Sequence, residues 1–141
     1  MTENKCYEYI DHTADLGIRG YGKTFLAALL NLTHGMLAAI HDLKYVDTTE
    51  SRQVDISAAS REDLVVQFLN YLLYLHDAEK FITKECQVEL KESNRILGIL
   101  RGERFNPDKH YLLDEVKAVT YHQLLVEPGD EGWVIQIICD L

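Results

Sequence analysis

Apolar residues recur at two different periods along this chain, and the order in which the periods alternate narrows the fold more than any other feature. Phe25, Leu26, Leu29, Leu30, Leu32, Met36, Leu37 and Ile40 fall three and four apart behind a cap candidate, Thr24, as expected of a helix with one face turned to a core. Leu64, Val65, Phe68, Leu69, Leu72, Leu73 and Leu75 repeat the pattern behind a capping-box-like start at Ser60 and Asp63, and the predicted helix ends near His76.

Around these helices the period drops to two, the mark of half-buried strands. Tyr7 to Ile10 and Leu16 to Tyr21 form an opening pair joined by DHTAD, and Val54, Ile56 and Ala58 make a short strand before the second helix. Cys86, Val88 and Leu90, a turn at Ser93 and Asn94, and Ile96 to Leu100 predict a hairpin. Glu115 to Val126 and Trp133 to Cys139, separated by Pro128 to Gly132, predict another. Two striped helices need a sheet face to cover, and turns this frequent favour antiparallel pairing over βαβ crossovers. The expected fold is therefore α+β: a largely antiparallel or mixed sheet layered with two main helices, in a single domain over residues 1–141, a length too short for two independent cores.

Charge limits the function. Asp and Glu outnumber Lys and Arg by 23 to 14, for a net charge of −9, and such a field repels phosphate backbones. A role with RNA would run through a protein partner that has its own basic groove, or through a metal, rather than through direct binding. Cys6, Cys86 and Cys139 are distant from one another and form no CxxC pair, so they are expected to be buried thiols in a reducing compartment. No apolar run approaches the roughly 20 residues that span a bilayer, and MTENKCYEYI lacks a signal-peptide core. The expected location is cytoplasmic.

Two places carry candidate chemistry. DHTAD gathers Asp11, His12 and Asp15 between two strands; such a cluster can bind a cation, and equally its side chains can satisfy backbone amides in a tight turn. At the other end, the apolar run WVIQIIC breaks off at Asp140 and Leu141. A buried strand would carry the Asp140 side chain and a terminal carboxylate to the core edge, where two anions need a cation, a basic side chain or amides; the alternative is a solvated terminus. Oxygen donors suit Ca²⁺ or Mg²⁺, whereas zinc prefers closely spaced Cys and His. The two places reinforce each other only if the fold sets Asp15 beside Asp140.

Lys117 and Tyr121 share a strand parity, with His122 on the opposite face unless a bulge intervenes. His34, His41 and His76 lack a partner at ligand spacing and are expected at the surface or as caps, and Tyr71 and Tyr74 as packing residues. Walker loops, GxSxG elbows, HExxH and dinucleotide fingerprints are absent.

Four separated segments in one order carry a resemblance. YEYIDHTADLGIRGYG with a helix starting at Thr24, GERF at 102 to 105 ahead of Lys109 and His110, EVKAVTYHQL, and the ending CDL together resemble the archease family across essentially the whole chain. The resemblance implies a non-catalytic cofactor of the RtcB-type GTP-dependent RNA ligase, which joins a 3′-phosphate or cyclic phosphate end to a 5′-hydroxyl in tRNA splicing and RNA repair. Archeases promote guanylylation of the ligase histidine and so restore turnover. It also implies a divalent-metal site, described with calcium, with magnesium or manganese as alternatives. Residue matching puts that site on Asp15, Asp140 and Leu141, the last through a backbone or terminal oxygen; Asp11, His12, Lys117, Tyr121 and His122 are supporting candidates, His12 being a weaker candidate for direct ligation. Two competing expectations are a chaperone-like or scaffold protein acting through exposed apolar surface, and a metal-dependent phosphohydrolase using clustered acids to hold Mg²⁺.

Overall fold

Both helices start at the predicted hydroxyls. Thr24, in an extended conformation, accepts the Ala27 N–H at 3.0 Å and opens α1 (Phe25–Ile40), and Ser60 accepts the Asp63 N–H at 3.1 Å and opens α2 (Arg61–Glu79). The computed structural model describes residues 6–11 and 14–141. In it α2 continues past the expected end at His76, because its true stop is Lys80, left-handed at φ 57° with its N–H on the Leu75 carbonyl. Replacing Ser60 with Ala frees the Asp63 N–H, and a loss of about 1 kcal/mol in urea-denaturation stability is expected.

The strands are β1 (Tyr7–Ile10), β2 (Leu16–Gly22), β3 (Glu50–Ser57), β4 (Phe81–Lys91), β5 (Arg95–Arg104), β6 (Ala118–Gly129) and β7 (Gly132–Asp140). They form two antiparallel sheets, ordered β1-β2-β7-β6 and β3-β5-β4. The chain therefore has the α+β architecture that the alternating periods predict. Helix α1 packs on β2 and β7, while α2 packs on β6 and β4. One hydrophobic cluster takes in Leu29, Leu32 and Met36 of α1, Phe68 and Leu72 of α2, Ile135 and Ile137 of one sheet, and Phe81 and Ile96 of the other.

Several boundaries move from their expected places, each for a local reason. The β4–β5 hairpin is longer than its apolar alternation and turns through Ser93 and Asn94, both left-handed, at φ 61° and 55°. Pro128 and Gly129 belong to β6, where Pro128 pairs with Trp133; a proline is tolerated there because β6 is an edge strand. Strand β6 starts at Ala118, leaving residues 115–117 outside it, and its register breaks between Thr120 and Leu125. Cys139 is buried and Cys86 partly so, but Cys6 is exposed, since it precedes an edge strand rather than joining the core; all three are free thiols. Tyr71 and Tyr74 stack on each other with ring centroids 6.2 Å apart. Among the described residues no helix is long and apolar enough to cross a membrane.

The connection 105–117 is held down from below. Glu103 accepts the Asp47 N–H at 2.6 Å, the Lys109 ammonium at 2.8 Å and the His110 ring at 3.0 Å, while Leu113 and Asp114 donate to the Ile40 and Ala39 carbonyls. Burial pushes the Glu103 carboxyl up, but these three donors outweigh it and hold the group at about 2, against an ordinary 4.5. A carboxyl depressed in the folded state contributes stability above its unfolded value and loses it as pH falls towards the folded one. The urea midpoint of the parent protein is therefore expected to drop more steeply from pH 5 to pH 2.5 than that of Glu103→Gln; parallel curves would remove the network from the account of acid stability.

Candidate functional site

Strands β2 and β7 carry the first and last candidate residues to the same end of one sheet. Their register runs from Gly22↔Trp133 to Leu16↔Cys139, and one further step opposes Asp15 to Asp140. Asp15 is the partly buried residue just ahead of β2, and Asp140 is the exposed last residue of β7. Both charges are felt by one neighbour: the Cys139 thiol is pushed up to about 12 by burial and then by the carboxylates of Asp140 and Asp15. That thiol therefore stays protonated at neutral pH.

The third strand of this end comes from β6. The Lys117 N–H donates to the Asp140 carbonyl at 2.9 Å, and Ala118 is paired with Asp140. Lys117 thus reaches the aspartate through its backbone, with its side chain exposed. Helix α2 fixes this segment through Asn70, whose amide donates to the Val119 carbonyl at 3.0 Å and accepts the Val119 N–H at 2.8 Å. Sequence reasoning misses Asn70, although a polar residue set between Leu69 and Tyr71 in an apolar stripe is a visible signal.

The remaining candidates are placed differently. The shared parity of Lys117 and Tyr121 does not survive, because Lys117 precedes the strand and the break after Thr120, with Gln123 left-handed at φ 51°, re-aims the side chains beyond it. The Tyr121 hydroxyl donates to Asp63 at 2.7 Å in the first turn of α2, and this hydrogen bond, with some burial, raises its pKa. His122 is exposed and its N–H donates to the Thr120 hydroxyl at 3.2 Å. Asp11 is exposed just past the end of β1, and His12 lies outside the described residues. His34 is at the surface, as expected. His41 and His76 are not the isolated residues expected: His41 caps α1 but is 1% exposed, and its ring meets that of His76. Spacing could not reveal this pair, since one residue comes from each helix.

The donors at the β2–β7 end are two carboxylates and the backbone oxygens beside them, a set that fits a hard divalent cation retaining some of its water. Among the described residues no three His, Cys, Asp or Glu side chains converge as metal ligands. An ion held by Asp15 and Asp140 would thus draw its other oxygens from the backbone or from water.

Comparison with known proteins agrees with the fold and with the resemblance over nearly the whole chain. The model of the Archease protein family (MTH1598/TM1083) matches residues 7–141. Protein archease of Thermococcus kodakarensis is 34% identical over 139 residues, covering 96% of this chain and 98% of that one. Protein archease of Methanosarcina acetivorans is 33% identical over 144 residues, covering 99% of each. The solution structure of Methanobacterium thermoautotrophicum protein 1598 superposes with a TM-score of 0.84 at 30% identity, covering 96% of this chain and 99% of that one. With the family model and full-length relatives matching over nearly the whole chain and the fold in agreement, the chain belongs to the archease family.

Proposed function

We propose that this protein is a non-catalytic cytoplasmic activator of an RtcB-type GTP-dependent RNA ligase, promoting guanylylation of the ligase and its multiple turnover in tRNA splicing and RNA repair. Asp15, Asp140 and a backbone or terminal oxygen of Leu141 would hold a divalent ion, calcium in the first instance, with magnesium or manganese as alternatives. The observation that carries the reading is the opposition of Asp15 to Asp140 across β2 and β7 in a chain of this family.

The roles of the chain's own residues come from their positions. Asp15 and Asp140 concentrate negative charge at one sheet end, and the Lys117 N–H fixes the Asp140 carbonyl. Asn70 ties the start of β6 to α2, so that the three segments keep their spacing. When bound, the cation supplies positive charge that can face nucleotide phosphates. The overall charge of −9 disfavours RNA and favours a basic partner surface, speeding encounter with it.

The test is ligation with limiting ligase, with and without this protein. Product is expected to exceed one equivalent per ligase only when the protein is present, with single-turnover yield unchanged; equal multiple-turnover yields would remove the reading. A second reading, a scaffold acting through apolar surface, draws on the exposed run Tyr111, Leu112 and Leu113, at 71%, 48% and 57% exposure. It predicts that Leu113→Asp, rather than any carboxylate change, abolishes the effect on the ligase.

A further inference from the structure

His41 and His76 face each other where α1 and α2 end, and their ring nitrogens close a chain of hydrogen bonds that reaches the connection 105–117. His41 Nδ1 lies 2.7 Å from the Tyr111 carbonyl. A carbonyl only accepts, so this nitrogen carries a proton and Nε2 is left to accept. Nε2 of His76, 2.8 Å away, donates to it, and the outer nitrogen of His76, Nδ1, lies 3.5 Å from the Asp77 carboxylate. Alongside, the connection is tied to the end of α1: Leu112 bridges to His41, and the Leu113 and Asp114 N–H groups donate to the Ile40 and Ala39 carbonyls.

The neutral pair has one hydrogen between its two Nε2 atoms. One added proton is accommodated at the outer nitrogen of His76, where Asp77 accepts it, and the ring-to-ring bond becomes charge-assisted. A second added proton has only His41 Nε2 left to occupy, and there it confronts the N–H of His76. Two donors on two cations cannot keep a 2.8 Å contact, so the rings must part. The surroundings oppose that second charge: burial lowers the His41 pKa most, the Tyr111 hydrogen bond works against this, and the His76 and His110 rings lower it further. Asp77, Lys80 and Glu115 line a pocket of about 300 Å³ beside the pair, which gives a departing His76 ring space near two carboxylates. Glu103 faces the pair only through the His110 ring it holds at 3.0 Å, and the inner side, formed by Leu37, Leu72, Phe81 and Thr83, adds no charge.

We propose that the pair is a proton-operated latch, closed with its one shared hydrogen or with one proton more, and opened by the second added proton, which frees residues 111–114 from the end of α1.

Amide hydrogen exchange at Leu113 and Asp114, followed by NMR and corrected for the intrinsic exchange rate, tests this. The fold favours neutral His41, so the latch holds fully above the ordinary histidine value of 6.5 and weakens as pH falls below it. Protection is expected to stay constant down to that pH and then to fall, by at most about tenfold per pH unit for one coupled proton. Read above pH 4.5, the ordinary value for the Glu103 carboxyl, the fall is separate from that group, and Glu103→Gln should retain it. His76→Gln should abolish it: the amide donates to neutral His41 and, turned over, accepts from the protonated ring, so the contact survives in both states. Glutamine is also a good helix former at this half-buried place in the last turn of α2, and the fold is expected to be kept. Protection independent of pH in the parent, a fall that persists in His76→Gln, or a fall that Glu103→Gln removes overturns the proposal.

Discussion

Asp140→Asn and Asp15→Asn should each return multiple-turnover ligation to the level of the ligase alone. Asparagine keeps the size and the carbonyl oxygen of aspartate and removes its charge, so the change tests electrostatics rather than shape. Hard-cation affinity follows the number of charged oxygens at a site, and a site built on only two carboxylates should lose at least roughly tenfold in affinity when one is neutralised. Asp140 is exposed at the end of its strand, and its backbone bond to Lys117 and its pairing with Ala118 do not involve the side chain. Denaturation midpoints of that variant are accordingly expected to match the parent. Chelation of the divalent ion should reproduce the defect in the parent and add nothing to it in the variants. Stimulation at the parent level by both variants would end the metal-site reading while leaving the family assignment untouched.

Gly102→Ala should cost about 3 kcal/mol or more, a large share of the 5–15 kcal/mol typical of a whole domain. Gly102 lies on β5, the central strand of its sheet, against β3 on one side and β4 on the other. A Cβ there would come within 1.8 Å of the Ile82 carbonyl oxygen and 3.2 Å of the Thr83 Cα. These are backbone atoms, so no rotamer change relieves the clash. The neighbouring strand approaches so closely because it bulges: Thr83 pairs with Gly102 and Glu85 with Arg101, leaving Lys84 out of register. The bulged Lys84 sends its ammonium to the Val46 carbonyl at 2.8 Å. Gly129→Ala is the control, since its Cβ would meet only the Gly132 carbonyl oxygen, at 3.4 Å; its urea midpoint should barely move. Equal midpoints for the two variants would show that β4 can retreat at little cost.

How much of this is legible in the sequence depends on the range of the interaction. Thr24 and Ser60 cap helices through atoms three residues away, and both positions can be read from the chain itself. The turn at Ser93 and Asn94 is legible for the same reason. The stop at Lys80 is not, because a lysine in the left-handed region has no signature in composition. GERF is visible in the sequence as a motif without a meaning; the fold supplies one, with Gly102 admitting the β4 backbone, Glu103 collecting three donors and Phe105 lying against His41. At the candidate site, the charges of Asp15 and Asp140 are evident but their opposition is not, since it depends on β2 choosing β7 as its second neighbour. Lys117 draws attention through its side chain, yet its hydrogen bond to Asp140 is made by its backbone, which any residue but proline could provide. The histidine pair escapes because helical spacing reports neighbours on one helix and says nothing of a meeting between two.

The pairing of β2 with β7 also dictates when the molecule can mature. Residues more than a hundred positions apart, such as Leu16 and Cys139, must find each other, and contacts of such long range form late and slowly. During synthesis the N-terminal hairpin and α1 emerge first, with an open strand edge where β7 will lie. Until the ribosome has delivered that strand, Asp15 has no Asp140 opposite it, and the carboxylate pair exists only in the finished chain.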